Sequence, residues 1–339
     1  MTTNIHELAI TKSTIATFSK AETIYEIDLS KFRVKAVVDW LDIEIETRSS
    51  TNYQCIQKKS KHILDEKKGC WVTTKNKRRC GADTQFRIRL HDLKTYTDLI
   101  YIVAEIDKHF PLACEPKITA IEVSIDFRSK EQIRQELEKA TIYLKQSLDH
   151  VGVKPREYND KKKIIEMKHR SSELTSYRTW AAGEKGDPEM SRIYLKEVDR
   201  NLPIADIAKH SARVEISLNY KATHNYFDSI SSFQTFKFQK FTHYFKFRKI
   251  NPNIAEGDNK SILPLIHEIL ANEIRKRGQQ AIQPSKKSRR KHTKVTIAHE
   301  KMNDRVKDAL RNLTNSFFAK KGVRILDGYS DFLEKNRAA

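Results

Sequence analysis

Apolar and polar residues alternate over residues 118–127, which read Ile-Thr-Ala-Ile-Glu-Val-Ser-Ile-Asp-Phe. Successive side chains of a strand point to opposite faces, so Ile121, Val123, Ile125 and Phe127 share one side and Glu122, Ser124 and Asp126 the other. The same period recurs over 36–47, where Val37, Leu41, Ile43 and Ile45 oppose Trp40, Asp42, Glu44 and Glu46. Over 213–219 the apolar set Val214, Ile216 and Leu218 leaves Arg213, Glu215, Ser217 and Asn219 together. Over 190–196, Arg192, Tyr194 and Lys196 fall on one face. Shorter strands are expected at 84–90, 164–168 and 177–182. Helical spacing predicts helices over 52–66, over 93–109 with Asp92 as cap, and over 129–150 with Ser129 as cap. Further helices are expected over 262–277, 298–320 and 325–335. The Phe-rich run 233–247 reads as a helix whose wide aromatic face belongs to a core.

This order of elements predicts an α+β fold: an antiparallel or mixed β-sheet with helices packed on one face, followed by a mostly helical basic C-terminal region. The expected divisions are an N-terminal arm (1–35), an α+β domain (36–222), a Phe-rich helical region (223–277), a basic disordered linker (278–294) and C-terminal helices (295–339).

Composition adds a partner. The chain has 339 residues, with 64 Lys and Arg against 44 Asp and Glu, a formal net charge of +20. Such an excess favours a polyanion, most simply nucleic acid, because cations that replace condensed counterions on phosphates gain affinity. The expected contacts are Lys75, Lys77, Arg78 and Arg79 in a basic turn, and Lys286, Lys287, Arg289, Arg290 and Lys291 in the linker. No run of 18 or more apolar residues is present, and no signal peptide opens the chain. The expectation is therefore a cytoplasmic protein with no membrane partner. None of the cysteines, Cys55, Cys70, Cys80 and Cys114, stands in a Cys-x-x-Cys pair, which argues against structural zinc and for reduced thiols.

The polar faces carry the candidate chemistry. If the three strands are neighbours, Glu122, Asp126 and Glu215 form an oxygen-ligand site suited to Mg²⁺ or Mn²⁺. Arg192 and Lys196 would take up remaining charge on a phosphate, and a tyrosine phenol would attack it, leaving a covalent phosphotyrosine. The same spacing also fits solvated sheet faces joined by cross-strand salt bridges.

Four segments, DWLDIEIETR, IEVSIDF, SRIYLKEVDR and ARVEISLNYKA, occur in that order. They resemble segments of the Rep_trans-type rolling-circle replication initiators of plasmids and phages, which are related to relaxases of integrative elements. The resemblance covers roughly 36–222 in short pieces. It implies a metal-dependent enzyme that nicks origin DNA, duplex and single-stranded, through a tyrosine, with metal-ligand roles on Glu122, Asp126 and Glu215. A host helicase and a homodimeric state belong to the same expectation. The family's T-x-Y-x-G segment aligns with 179–183, which places Ala181 where its tyrosine stands. Tyr177 and Tyr194 are the substitutes, and loss of nicking is the third outcome. Two other readings stay open: a non-catalytic, sequence-specific DNA-binding replication or regulatory protein, and an RNA-binding protein if the aromatic run is exposed on a sheet.

Overall fold

The computed structural model describes residues 26–63, 70–75, 82–149, 156–158, 164–165, 175–184, 186–199, 202–250 and 296–319. Their strands are β1 (Phe32–Asn52), β2 (Cys70–Thr74), β3 (Ala82–His91), β4 (Lys117–Ser129), β5 (Arg156–Tyr158), β6 (Ile164–Ile165), β7 (Thr179–Ala182), β8 (Glu189–Lys196), β9 (Val198–Asp199), β10 (Leu202–Pro203), β11 (Ser211–Asn219), β12 (Arg248–Ile250) and β13 (Thr296–Ala298). The α-helices are α1 (Tyr53–Ile63), α2 (Tyr96–His109), α3 (Arg134–Ser147), α4 (Tyr220–Thr223), α5 (Ile230–Gln234) and α6 (Glu300–Phe317). Nine strands form one sheet in the order β2-β3-β1-β4-β11-β8-β7-β5-β6. Every pairing in it is antiparallel. The fold is α+β, built on this antiparallel sheet, with β9–β10 and β12–β13 as separate two-stranded antiparallel pairs.

The apolar face of the sheet is the core. Leu41, Ile43, Ile121, Ile125, Phe127, Ile193 and Val214 have no accessible surface, and they share a cluster with Leu137, Ala140 and Leu144 of α3. Helix α3 lies against β4, β8 and β11, and α6 lies against β1. Removing this much apolar surface from water is the main term that holds such a layer together.

β1 runs longer than the alternation over 36–47 suggested, and its pattern breaks at Asp39. Val34, Ala36 and Val38 pair with Phe127, Ile125 and Val123 of β4, whereas Leu41 pairs with Ile121. Asp39 is the extra residue between the pairs Val38–Val123 and Trp40–Glu122, a β-bulge. The bulge moves Val37 off the apolar face, where its sequence position had placed it, to a half-buried position opposite Ser124.

Helix starts also differ from expectation. Asp92 has φ 56, in the left-handed region, and the cap of α2 is Thr95 in a capping box with Asp98. Ser129 lies before α3, which starts at Arg134. Its hydroxyl accepts from the Ile133 N–H and donates to Glu136.

The Phe-rich run is not one helix. Helix α5, a bend and a 3-10 helix at Phe238–Phe245 turn its rings inward. Phe233, Phe238, Phe241, Phe245 and Phe247 are fully buried, and α6 adds Phe317 to the same cluster. Edge-to-face packing on several sides requires the chain to change direction, which a single helix does not do. The rings are core and not an exposed sheet surface, so the RNA-binding reading loses its condition. The expected helices over 262–277 and 325–335 and the linker 278–294 lie outside the described residues.

Candidate active site

The polar face of the sheet centre is built by cross-strand rows. One row sets Trp40 beside Glu122 and Ser217. The next sets Ser124 beside Glu215, Arg192 and Ala181. The third sets Lys35 beside Asp126, Arg213 and Tyr194. Neighbouring strands are only about 4.8 Å apart, so side chains of three rows on β1, β4, β11 and β8 converge.

Asp39, Glu122 and Glu215 each place a carboxylate oxygen within 4.8 Å of the other two. Asp39 was not visible as a site residue from alternation, because the bulge that delivers it breaks the alternation. The signal was a three-residue step between the core positions Val38 and Leu41. Ser217 donates to Glu122, Ser124 donates to Asp39, and Tyr194 donates its phenolic proton to Glu215 Oε1. Arg192 Nη2 stands 2.7 Å from Glu122 Oε2 and 2.7 Å from Glu215 Oε2. Only the first of these contacts is aligned as a hydrogen bond, which leaves Glu215 Oε2 buried without a hydrogen-bond donor.

Asp126 takes a different place from the one its strand position suggested. Arg213 grips it with Nε–Oδ1 at 2.6 Å and Nη2–Oδ2 at 2.9 Å, and Ser211 donates to Oδ1 at 3.0 Å. Burial works to raise the carboxyl of Asp126, but Arg213, Arg128 and Ser211 together outweigh it and hold that carboxyl below its usual range. Arg213 Nη1 also reaches both oxygens of Asp39 at 3.0 Å. Asp126 thus anchors the guanidinium that steadies Asp39, and it does not join the three converging oxygens.

Burial raises the carboxyls of Asp39 and Glu215, and that of Glu215 is pushed up to about 7. The positive neighbours Arg192 and Arg213 oppose this for Glu215, while Glu122 and Asp39 reinforce it. Tyr194 is likewise held protonated, first by burial and then by the charge of Glu215. Three arginines, Arg192, Arg213 and Arg128 (3.4 Å from Asp126), face four carboxylates, Asp39, Glu122, Asp126 and Glu215. Hard oxygen donors with excess negative charge and an undonated oxygen fit a divalent cation such as Mg²⁺ or Mn²⁺.

The remaining expected residues fall as follows. Lys196 shares the face of Tyr194, acts on Asp39 through its charge and lies 3.8 Å from Asp199. Tyr177 lies in a bend before β7, 61% exposed, with the Arg178 guanidinium over its ring, so strand alternation does not carry it to the face of Ala181. Ala181 is buried on the site's face, directly across from Arg192. Lys75 pairs with Glu44 at 3.4 Å. Lys77, Arg78, Arg79, Lys286, Lys287, Arg289, Arg290 and Lys291 lie outside the described residues. Cys55, Cys70 and Cys114 are free thiols.

No protein-family model matches the chain, and no curated protein matches it. Among solved structures, the chain is similar to the rolling circle replication initiator protein from Geobacillus stearothermophilus. Identity is 14%, 86% of this chain and 100% of that one are covered, and the TM-score is 0.34. It is also similar to the aspartate kinase of Clostridium acetobutylicum, at 10% identity over 61% of this chain and 35% of that one, with a TM-score of 0.18. At such scores neither likeness carries an argument, and the chemistry rests on the residues themselves.

Proposed function

We propose that the protein is a replication initiator that binds origin DNA and nicks one strand, with Tyr194 as nucleophile. The observation that carries this reading is the convergence of Asp39, Glu122 and Glu215 with the Tyr194 hydroxyl on one face of the sheet. The resemblance of the segments around these residues to rolling-circle initiators supplies the substrate class.

In this reading Glu215 accepts the phenolic proton as the Tyr194 oxygen attacks phosphorus. A new oxygen–phosphorus bond forms to tyrosine, one strand linkage breaks, and the displaced oxygen leaves as a hydroxyl after taking a proton from solvent water. Arg192 and Lys196 offset charge that develops on the phosphate. Asp39, Glu122 and Glu215 would hold the metal, which when bound supplies Lewis-acid polarisation of the phosphate. Tyr177, exposed in the bend before β7, is set aside as nucleophile.

One observation favours the binding-only alternative. Ala181, where the resemblance places the family's tyrosine, sits on the face of the site without a hydroxyl. Incubating the protein with Mn²⁺ and single-stranded or supercoiled DNA carrying its origin separates the two. A covalent protein–DNA adduct supports nicking, and binding without adduct supports the alternative.

A further inference from the structure

The polar face continues past the candidate site onto β1, β3 and β2, and there it holds a row of flat side chains. Trp71 on β2 is 66% exposed although it lies within an ordered strand. It pairs directly with Arg89 of β3, and Arg89 pairs with Asp42 of β1. Asp42 holds the guanidinium at two points, 2.7 and 2.8 Å. In that position the guanidinium lies 3.7 Å from the centre of the Trp40 ring. Trp40 in turn pairs with Glu122. An indole, a fixed guanidinium and a second indole therefore lead across the sheet to the carboxylates, over three strand spacings or about 14 Å.

An indole left in water on a strand contributes little to the core, and here it extends the flat surface of the Arg89 guanidinium and the Trp40 ring that leads toward the carboxylates. Stacking on indole and guanidinium planes suits unpaired bases, whose π-faces are open only in a single strand. The charge of Arg89 is already matched by Asp42, and that of Arg87 by Glu44 at 2.6 Å. This row is thus suited to stacking more than to phosphate pairing.

We infer that Trp71, Arg89 and Trp40 form a stacking platform for single-stranded DNA beside the scissile position. The inference rests on the reading of the neighbouring carboxylates as a nicking site. Its test is the affinity of the full chain, without metal, for an oligothymidylate and for a duplex, with Trp71→Ala and Trp71→Phe as variants. Trp71→Ala should weaken single-strand binding roughly ten-fold or more, while Trp71→Phe keeps most of it. That ratio should persist at high salt, because stacking releases no counterions. Equal affinities of the alanine variant and the parent protein would overturn the platform. So would an equal loss on duplex, a loss that vanishes at high salt, or a parent protein that does not bind the single strand. Single-strand binding that depends on Trp71 without any covalent adduct would end the nicking reading and leave the platform standing.

Discussion

Glu215 is the residue on which the protonation of the site turns. Burial, together with the charges of Glu122 and Asp39, lifts its carboxyl from the ordinary 4.5 to about 7. A group raised in this way contributes stability that is complete below its ordinary value and is lost as pH rises through about 7. A divalent cation held by Asp39, Glu122 and Glu215 would compete with that proton and bind the ionised form. Thermal unfolding should therefore show a larger stabilisation by Mn²⁺ near pH 8 than near pH 6, and Glu215→Gln should abolish the difference. Asp126 has the opposite sign. Its carboxyl is held below the ordinary 3.8, so its contribution is present above that value and fades as pH falls through the lowered one. Asp126→Asn removes the two-point carboxylate partner of Arg213, which keeps Asp39 and Glu215 beside it, and should cost about 1.5–3 kcal/mol at neutral pH. The denaturant midpoints of variant and parent should converge in acid. Both carboxylates were legible in the sequence as members of one polar face, but their roles were not. Alternation gives the face and leaves open which partner each side chain meets.

At the scale of elements, the bulge in β1 decides the composition of the site. Two residues, Asp39 and Trp40, oppose the single Glu122, so one strand supplies both a carboxylate and an indole. Deleting Asp39 restores simple alternation from Val38 through Trp40 to Leu41 and keeps every core residue on its face. Such a variant should retain its circular dichroism spectrum and lose the metal-dependent rise in Tm; loss of folding would show that the bulge sets the twist of the sheet. The strands themselves were readable because their period is two. The run 233–247 was misread because its intervals mix two, three and four residues. Those intervals fit turns packed on several sides and no single helical face. Tyr177 was misplaced because alternation was extended two residues past the start of β7.

Over the whole molecule, one core joins distant parts of the chain. Met302, Val306, Leu310 and Phe317 of α6 pack into the cluster that holds β1 and the Phe-rich turns. The division at 223 therefore does not coincide with a break in packing. The net charge of +20 belongs to the scale of the molecule as well. Lys286, Lys287, Arg289, Arg290, Lys291 and Lys294 lie within 17 residues, 278–294. Deleting that segment should lower affinity for every DNA sequence alike and flatten the dependence on salt, measured as the slope of log affinity against log salt. An unchanged slope would assign the phosphate contacts elsewhere.

The central claim is that the Tyr194 hydroxyl, held by Glu215 beside Asp39 and Glu122, attacks a DNA phosphate. The most direct measurement is mass spectrometry of peptides from protein incubated with Mn²⁺ and single-stranded origin DNA. The account predicts a nucleotide attached to the peptide that contains Tyr194. It also predicts no adduct from Tyr194→Phe, which keeps the ring and removes the attacking oxygen, and an undiminished adduct from Tyr177→Phe. An adduct on any other residue, or one that survives in Tyr194→Phe, would contradict it.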